Sequence, residues 1–566
     1  MRSLIFMSIT VGFLCAVSAF AGPLDKVHPS LQARMLAVEP GELIPVMIDL
    51  NEQFDTMEFI ERTRKLSKAE RRALLIKEAS AFAEERQAGL MSRLEGAKNL
   101  RGLWIVNMIT ADLDKATISE LALVDEVKMI SWNRPFSPQM LDDAADEGGG
   151  ADGPGQVSWS VDKINAPKCW ALGALGQGVV ISNLDSGTDY NHPDLSDHIW
   201  NNADEIPNNG VDDDNNGYID DTKGWDFDSN DKDPMDTYGH GTKTSGVACG
   251  DGTNGTQTGV APEAQLMICR IGDEGDHITA QQYSIENGAD VVTSSYSFKW
   301  YFSPRPDYHR FRDASVMEMA AGLFHNNSSS NDGSSVGKPW NISAPANVPP
   351  PWIHPEEPEQ NGGVAGTLGV GGTESNDTHY SPSPIGPSAW EDLKLYDAGY
   401  PHSQKTEYWD YPYKGGKPGI MKVDVCCPTG GVPSTEIGGG YTQTFSGTSA
   451  ATPHSGGSSC VLLSANPSLT PDEIAKAIKM NAVDLGAAGL DDTFGAGRMD
   501  LYEAVLNVFT TLRADDETPD IGTTVTLDME GPAGAQYALL FSPFLGKTTI
   551  PGYVTLDIAP PYLWLQ

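Results

Sequence analysis

From about Trp159 to Val508 the chain alternates short apolar, strand-like runs with helical ones, and this rhythm excludes most architectures. Parallel strands need long crossovers, and helices supply them while covering both faces of a sheet. The expected fold class is therefore α/β, a parallel sheet with helices on both faces. One run, Val179-Val180-Ile181-Ser182-Asn183-Leu184-Asp185-Ser186-Gly187, is an apolar strand ending in a carboxylate and a glycine turn. The carboxyl ends of parallel strands are where such folds build sites, which makes Asp185 the first candidate.

Two further stretches carry chemistry. Gly239-His240-Gly241-Thr242 brackets a histidine with glycines, which let other backbone approach closely. Phe445-Ser446-Gly447-Thr448-Ser449-Ala450-Ala451-Thr452-Pro453-His454 reads as a Gly-Thr turn delivering Ser449 to the first turn of a helix, with Pro453 also in that turn. Unpaired N–H groups and the positive dipole end favour developing negative charge there. Taken singly, each residue has an ordinary reading: a turn aspartate, a helix-start histidine, a capping serine. Together, in the order Asp185, His240, Ser449, they supply an orienting acid, a base and a nucleophile.

With these three motifs the chain resembles the subtilisin-like serine proteases, the subtilases. Further matches are His192-Pro193-Asp194-Leu195, Gly259-Val260-Ala261-Pro262 and Asn287-Gly288-Ala289-Asp290-Val291-Val292, and the likeness covers about residues 157–508. The resemblance implies a subtilisin-like catalytic domain and hydrolysis of peptide bonds in protein substrates through an acyl-enzyme on Ser449. It implies Asn331 as oxyanion donor, and Ser295-Tyr296-Ser297 as the segment that lines the specificity pocket and pairs with substrate. Three departures stand out: Ser330 and Ser297 occupy positions where the family has glycine, and Lys243 stands where a histidine is common. Ser330 is expected to alter the local backbone and Ser297 to narrow the pocket. A shell of this family that binds without catalysis is the competing reading; the presence of all three reacting groups argues against it.

A chain of 566 residues exceeds a single core. Residues 1–21 read as a secretory signal: Arg2, an apolar run, then Ala19-Phe20-Ala21 before Gly22. No later run is long and apolar enough to span a membrane once the signal is removed. Residues 22–137 pattern as a small α+β unit, with strands expected at 43–50, 104–109 and 127–132, a long helix opened by a Ser67–Glu70 capping box and a short one over 114–124. By resemblance this unit is the inhibitory propeptide, an intramolecular partner of the catalytic domain. Residues 138–157, acidic and glycine-rich, read as a linker cut on maturation. The catalytic domain is expected over 158–508, and a small β-rich C-terminal domain over 509–566. The whole describes a secreted, autoprocessed preproprotein.

The net charge of −39 repels nucleic acid and anionic membranes, which makes both poor partners. The charge is concentrated in residues 204–236, where twelve acidic residues face only Lys223 and Lys232. Within it, Asp212, Asp214, Asn216, Tyr218 and Asp220 place oxygens at alternate positions around Gly217, the spacing of a calcium loop, although Lys223 stands at the twelfth position. Ca2+ is the expected structural cofactor, since carboxylates this dense repel without a cation. Residues 56–103 are instead net basic, which suggests a clamp on the acidic remainder. Six cysteines outside the signal are equally compatible with disulfides and with buried thiols. Asn341 to Trp352 is proline-rich and reads as a surface connector; His192, His325 and His454 read as structural.

Overall fold

The computed structural model describes residues 24–135, 156–299, 308–338, 340–348, 366–388 and 421–509, together with four short strands beyond them. The expected signal at 1–21 and most of the linker at 138–157 lie outside the described residues.

The N-terminal unit contains α1 (Pro29–Ala37), β1 (Ile44–Leu50), α2 (Thr56–Thr63), α3 (Lys68–Arg93), β2 (Lys98–Leu103), β3 (Met108–Leu113), α4 (Lys115–Leu121) and β4 (Val127–Trp132). Its four strands form an antiparallel sheet in the order β2-β3-β1-β4. The Ser67–Glu70 capping box starts α3, as the sequence predicts. Of the strand expected at 104–109, residues 104–107 form the turn between β2 and β3, with Asn107 at φ 37°, and only Met108 and Ile109 are strand, opening β3. Trp104 and Ile105 are apolar because they face the next domain: their backbone N–H groups donate to Gln282 Oε1 at 2.8 and 3.3 Å.

The second domain runs through α5 (Trp159–Lys163), α6 (Ala166–Trp170), β5 (Val180–Asp185), β6 (Gly224–Asp226), α7 (His240–Cys249), β7 (Gln265–Arg270), α8 (Glu274–Glu286), β8 (Val291–Ser294), α9 (Tyr308–Ala321), β9 (Phe324–Ser328), β10 (Thr367–Thr373) and β11 (Val425–Pro428). A hairpin, β12 (Val432–Glu436) and β13 (Gly440–Phe445), then leads into α10 (Thr448–Ala465), α11 (Pro471–Met480) and α12 (Leu501–Val508). The sheet has seven parallel strands in the order β11-β10-β9-β8-β5-β7-β6. Two apolar clusters divide between its faces. One joins α8 and α9 side chains to Trp104 and Leu75 of the N-terminal unit; the other joins α7, α10, α11 and α12. Strand β5 therefore has helices above and below it, and Asp185 is its last residue.

The two domains also meet through charge. Arg72 of α3 donates to the carbonyls of Ala289, just past α8, and Ala321, the last residue of α9, at 2.6 and 3.1 Å. Lys68 pairs with Asp290 at 2.6 Å. Buried Arg310 of α9 grips Asp49 of β1 at 2.7 Å and also pairs with Glu274. Basic groups of the N-terminal unit thus do meet acidic and carbonyl oxygens of the second domain, at the helix ends where partial negative charge gathers.

All six cysteines are free and buried, so the thiol reading holds. Asn341 to Val348 is buried, not a surface connector, and Phe298 and Ala344 exchange backbone hydrogen bonds there at 2.9 and 3.2 Å. Beyond Phe509, Leu512–Ala514 pairs with Leu527–Met529 and Gly546–Ile550 with Val554–Ile558, both antiparallel. Among the described residues no helix is long and apolar enough to cross a membrane.

Candidate active site

Strand β5 delivers Asp185 to the carboxyl edge of the sheet, where both of its oxygens are engaged. Oδ1 accepts from the Ser186 N–H at 2.7 Å and Oδ2 from the Thr244 hydroxyl at 3.3 Å. Oδ1 also lies 2.7 Å from His240 Nδ1, with both side chains fully buried. A carboxylate can only accept, so Nδ1 carries the proton of the neutral ring and Nε2 is the basic nitrogen. His240 opens α7, and Gly241 beside it has a steric reason to be glycine: a Cβ there would lie 2.0 Å from the Gly187 carbonyl oxygen. That close approach is what brings the helix start onto the end of β5.

Ser449 is the second residue of α10, after Gly447 at φ 84°. Helix α10 packs against α7, and Phe445, four residues before Ser449, sets its ring edge-on to His240 with centroids 5.8 Å apart. Pro453 falls in the second turn of α10, not the first as expected. Having no N–H, it cannot bond the Ser449 carbonyl one turn back. The Ser295 hydroxyl donates to that carbonyl instead, at 3.2 Å.

Asn331 follows β9. Its Oδ1 accepts from the backbone N–H of Thr448 at 2.9 Å, which turns the amide NH2 away from Thr448 and fixes the asparagine against the residue preceding Ser449. The Thr448 hydroxyl bonds the Ser330 carbonyl at 3.0 Å. Ser330 itself sits at φ 101°, a conformation that favours glycine and costs a serine on the order of 1–3 kcal/mol. Two bonds of its hydroxyl offset this: it donates to Asn341 O at 2.7 Å and accepts from Asp332 N at 3.2 Å.

Ser295, Tyr296 and Ser297 follow β8 directly and are all buried. Ser297 Oγ lies 3.5 Å from Ser328 Oγ on β9. The Tyr296 phenol turns inward to donate to the Ile271 carbonyl at 2.8 Å. Sequence reasoning missed Asn327, whose amide donates to the Tyr296 carbonyl at 3.0 Å. No motif marks it; only the strand pairing reveals it.

The acidic loop is organised by its own carboxylates. Asp212 and Asp214 converge with Glu205, their ligand oxygens within 4.8 Å of one another. Glu205 was missed because it lies seven residues before the repeat. Asn216 borders this group: its amide NH2 donates to Asp214 at 3.0 Å and Asp221 at 3.1 Å, and its Oδ1 accepts from the Tyr218 N–H at 2.8 Å. The side chains at the other two expected positions have other partners, although a calcium loop asks position 218 only for its backbone carbonyl. Tyr218 is buried against Trp225 and Tyr283 with its hydroxyl on Arg101 of β2. Asp220 pairs with Lys232 at 2.8 Å. The Glu205, Asp212 and Asp214 oxygens form a hard donor set that fits Ca2+. Buried His192, His325 and His454 bond Gly440 O, Glu318 and Ala450 O respectively, consistent with structural roles.

Comparison with known proteins bears on the domain that carries these residues. The model of the Subtilase family matches residues 176–497. Bacillopeptidase F of Bacillus subtilis (strain 168) is 24% identical over 514 residues, covering 81% of this chain and 31% of that protein. Subtilisin-like protease 1 of Plasmodium berghei (strain Anka) is 28% identical over 339 residues, 58% of this chain and 49% of that one. Minor extracellular protease Vpr of Bacillus subtilis is 28% identical over 204 residues, 32% and 22% of the two chains. The chain spans less than half the length of each of these relatives. The family match covers more than half of the present sequence and the whole parallel sheet, and the chain belongs to the subtilase family.

Proposed function

We propose that the protein is a secreted serine endopeptidase working through Asp185, His240 and Ser449. The observation that carries this reading is the fully buried His240–Asp185 bond of 2.7 Å at the carboxyl edge of a subtilase sheet. Ser449 Oγ attacks the scissile carbonyl carbon and passes its proton to His240 Nε2, while Asp185 holds the ring and stabilises the imidazolium. The oxyanion takes hydrogen bonds from the Asn331 amide and the Ser449 N–H. Collapse expels the amine with the proton from His240 and leaves an acyl-enzyme. Water then attacks, giving its proton to the same nitrogen, and frees the acid and Ser449. The backbone of segment 295–297 receives the peptide, while the Ser295 and Tyr296 side chains are engaged within the protein.

The N-terminal unit acts as propeptide and intramolecular inhibitor, released by self-cleavage within 138–157. Support comes from its docking on α8 and α9 through Arg72, Trp104 and Arg310. Ca2+ held by Glu205, Asp212 and Asp214 neutralises the acidic loop. Export is supported by residues 1–21 and by the extracellular designation of one relative.

Labelling with a serine-directed fluorophosphonate tests the reading. The mature protein should label, and Ser449→Ala should neither label nor mature. Absence of labelling in the parent would favour the non-catalytic binder; normal maturation of the pure Ser449→Ala protein would remove self-cleavage.

A further inference from the structure

We infer that Tyr296 is a positioning residue, a strap that ties the strand end bearing Asp185 to the helix turn bearing Ser449 by a route independent of His240. The inference rests on the reading of Ser449 as nucleophile and Asp185 as its remote acid.

Strand β5 lies between β8 and β7. Tyr296, two residues beyond β8, would have to cross the end of β5 to reach anything past β7. Its side chain does this on the α8 face, where it shares a buried cluster with Leu184, Met267, Ile278 and Tyr283. There its hydroxyl meets the carbonyl of Ile271, the first residue after β7, at 2.8 Å. The N–H of that same Ile271 donates to the backbone carbonyl of Asp185 at 2.9 Å. A single residue thus receives the strap on one side and pins the acid on the other. At its other end the strap is anchored twice. Asn327 holds the Tyr296 carbonyl at 3.0 Å, and the adjacent Ser295 hydroxyl bonds the Ser449 carbonyl at 3.2 Å.

The last bond has a chemical reason to exist. Pro453 deprives the Ser449 carbonyl of its intrahelical donor, so the turn that carries the nucleophile is tied sideways to segment 295–297. Burial, with the nearby Asp185 charge, raises the Tyr296 phenol well above its ordinary value, so it remains a donor throughout the working pH range. A phenol at this position therefore does more than fill the core. It fixes two strand ends and, through its neighbour, the start of α10.

Tyr296→Phe keeps the ring and removes only the hydroxyl. Misplacing reacting groups by a fraction of an ångström is costly in rate, so kcat on a peptide amide and the fluorophosphonate labelling rate should fall together, about tenfold, with KM within about twofold of the parent. Ser295→Ala cuts the same strap at its other end and should do likewise. The double variant should lose no more than the worse single one, because links in one chain are not additive. Unchanged kcat and labelling in both single variants, whatever happens to the melting temperature, would overturn the proposal. So would a rise in KM alone, or a double variant whose losses multiply. Should Ser449→Ala label as fast as the parent, the failure lies with the nucleophile assignment and not with the strap.

Discussion

Two buried histidines of this chain sit on helices rich in small residues, and their surroundings prepare them for different work. His240 opens α7 with its Nδ1 2.7 Å from the Asp185 carboxylate. His454 lies inside α10 with its Nδ1 2.8 Å from the Ala450 carbonyl, and its Nε2 is buried with no hydrogen-bond partner among the described residues. A neutral carbonyl satisfies an N–H but does little for a positive charge. Burial accordingly drives His454 down to about 4, a ring that stays neutral at working pH. Enclosure beside a neutral carbonyl disarms a histidine; His240 differs in having a carboxylate at the same depth, at the carboxyl edge of the sheet.

The most severe way to break this contrast is to give His240 the environment of His454. Asp185→Asn replaces the carboxylate with a neutral group, and kcat should fall by about 10⁴. A loss below tenfold would show that His240 does not depend on Asp185. Next in size, Asn331→Ala should lower kcat by about 10²–10³, measured on a peptide amide. It should leave the shape of the pH–rate profile alone, because it touches the oxyanion and neither histidine.

The His454 side of the contrast is read in stability. Folded, His454 takes its proton only near pH 4; unfolded, it does so near its ordinary 6.5. The unfolded chain therefore binds the proton first as pH falls. The stabilisation is intact above about 6.5 and is lost on the way down to about 4, by up to about 1.4 kcal/mol per pH unit. His454→Gln cannot titrate, and its denaturant midpoint should fall less steeply than the parent's through that window; parallel curves would refute the assignment. The smallest effect belongs to the acidic loop. Chelation should lower the melting temperature by a few degrees, as loss of a saturating ligand does. Asp212→Asn should reduce the response to chelation.

Much of the site was legible because its residues occupy motif positions at strand and helix ends. Asp185, His240 and Ser449 each follow or begin a clear apolar or small-residue run, and the parallel sheet follows from the βα rhythm. What escaped depended on long-range partners. Trp104 to Ile109 reads as a strand because its apolar residues signal burial, yet over 104–107 the burying surface is another domain and the backbone turns. Pro453 read as a first-turn residue because the sequence cannot show that Ser295 makes good the missing bond. Glu205 lies outside the local calcium-loop spacing that drew attention to Asp212. Asp220 fits that spacing, but Lys232 claims its carboxylate. Local pattern specifies the ends of elements well; it says little about which oxygen a remote cation will choose.

The grip of Arg72 has one more consequence. Its guanidinium bonds two carbonyl oxygens from separate helices, Ala289 after α8 and Ala321 at the end of α9. Those two oxygens lie within one guanidinium's span only when both helices have ended in register and stand side by side. The N-terminal unit therefore reads both helix ends at once: a second domain with either helix wound one residue too far would offer Arg72 a single oxygen instead of two.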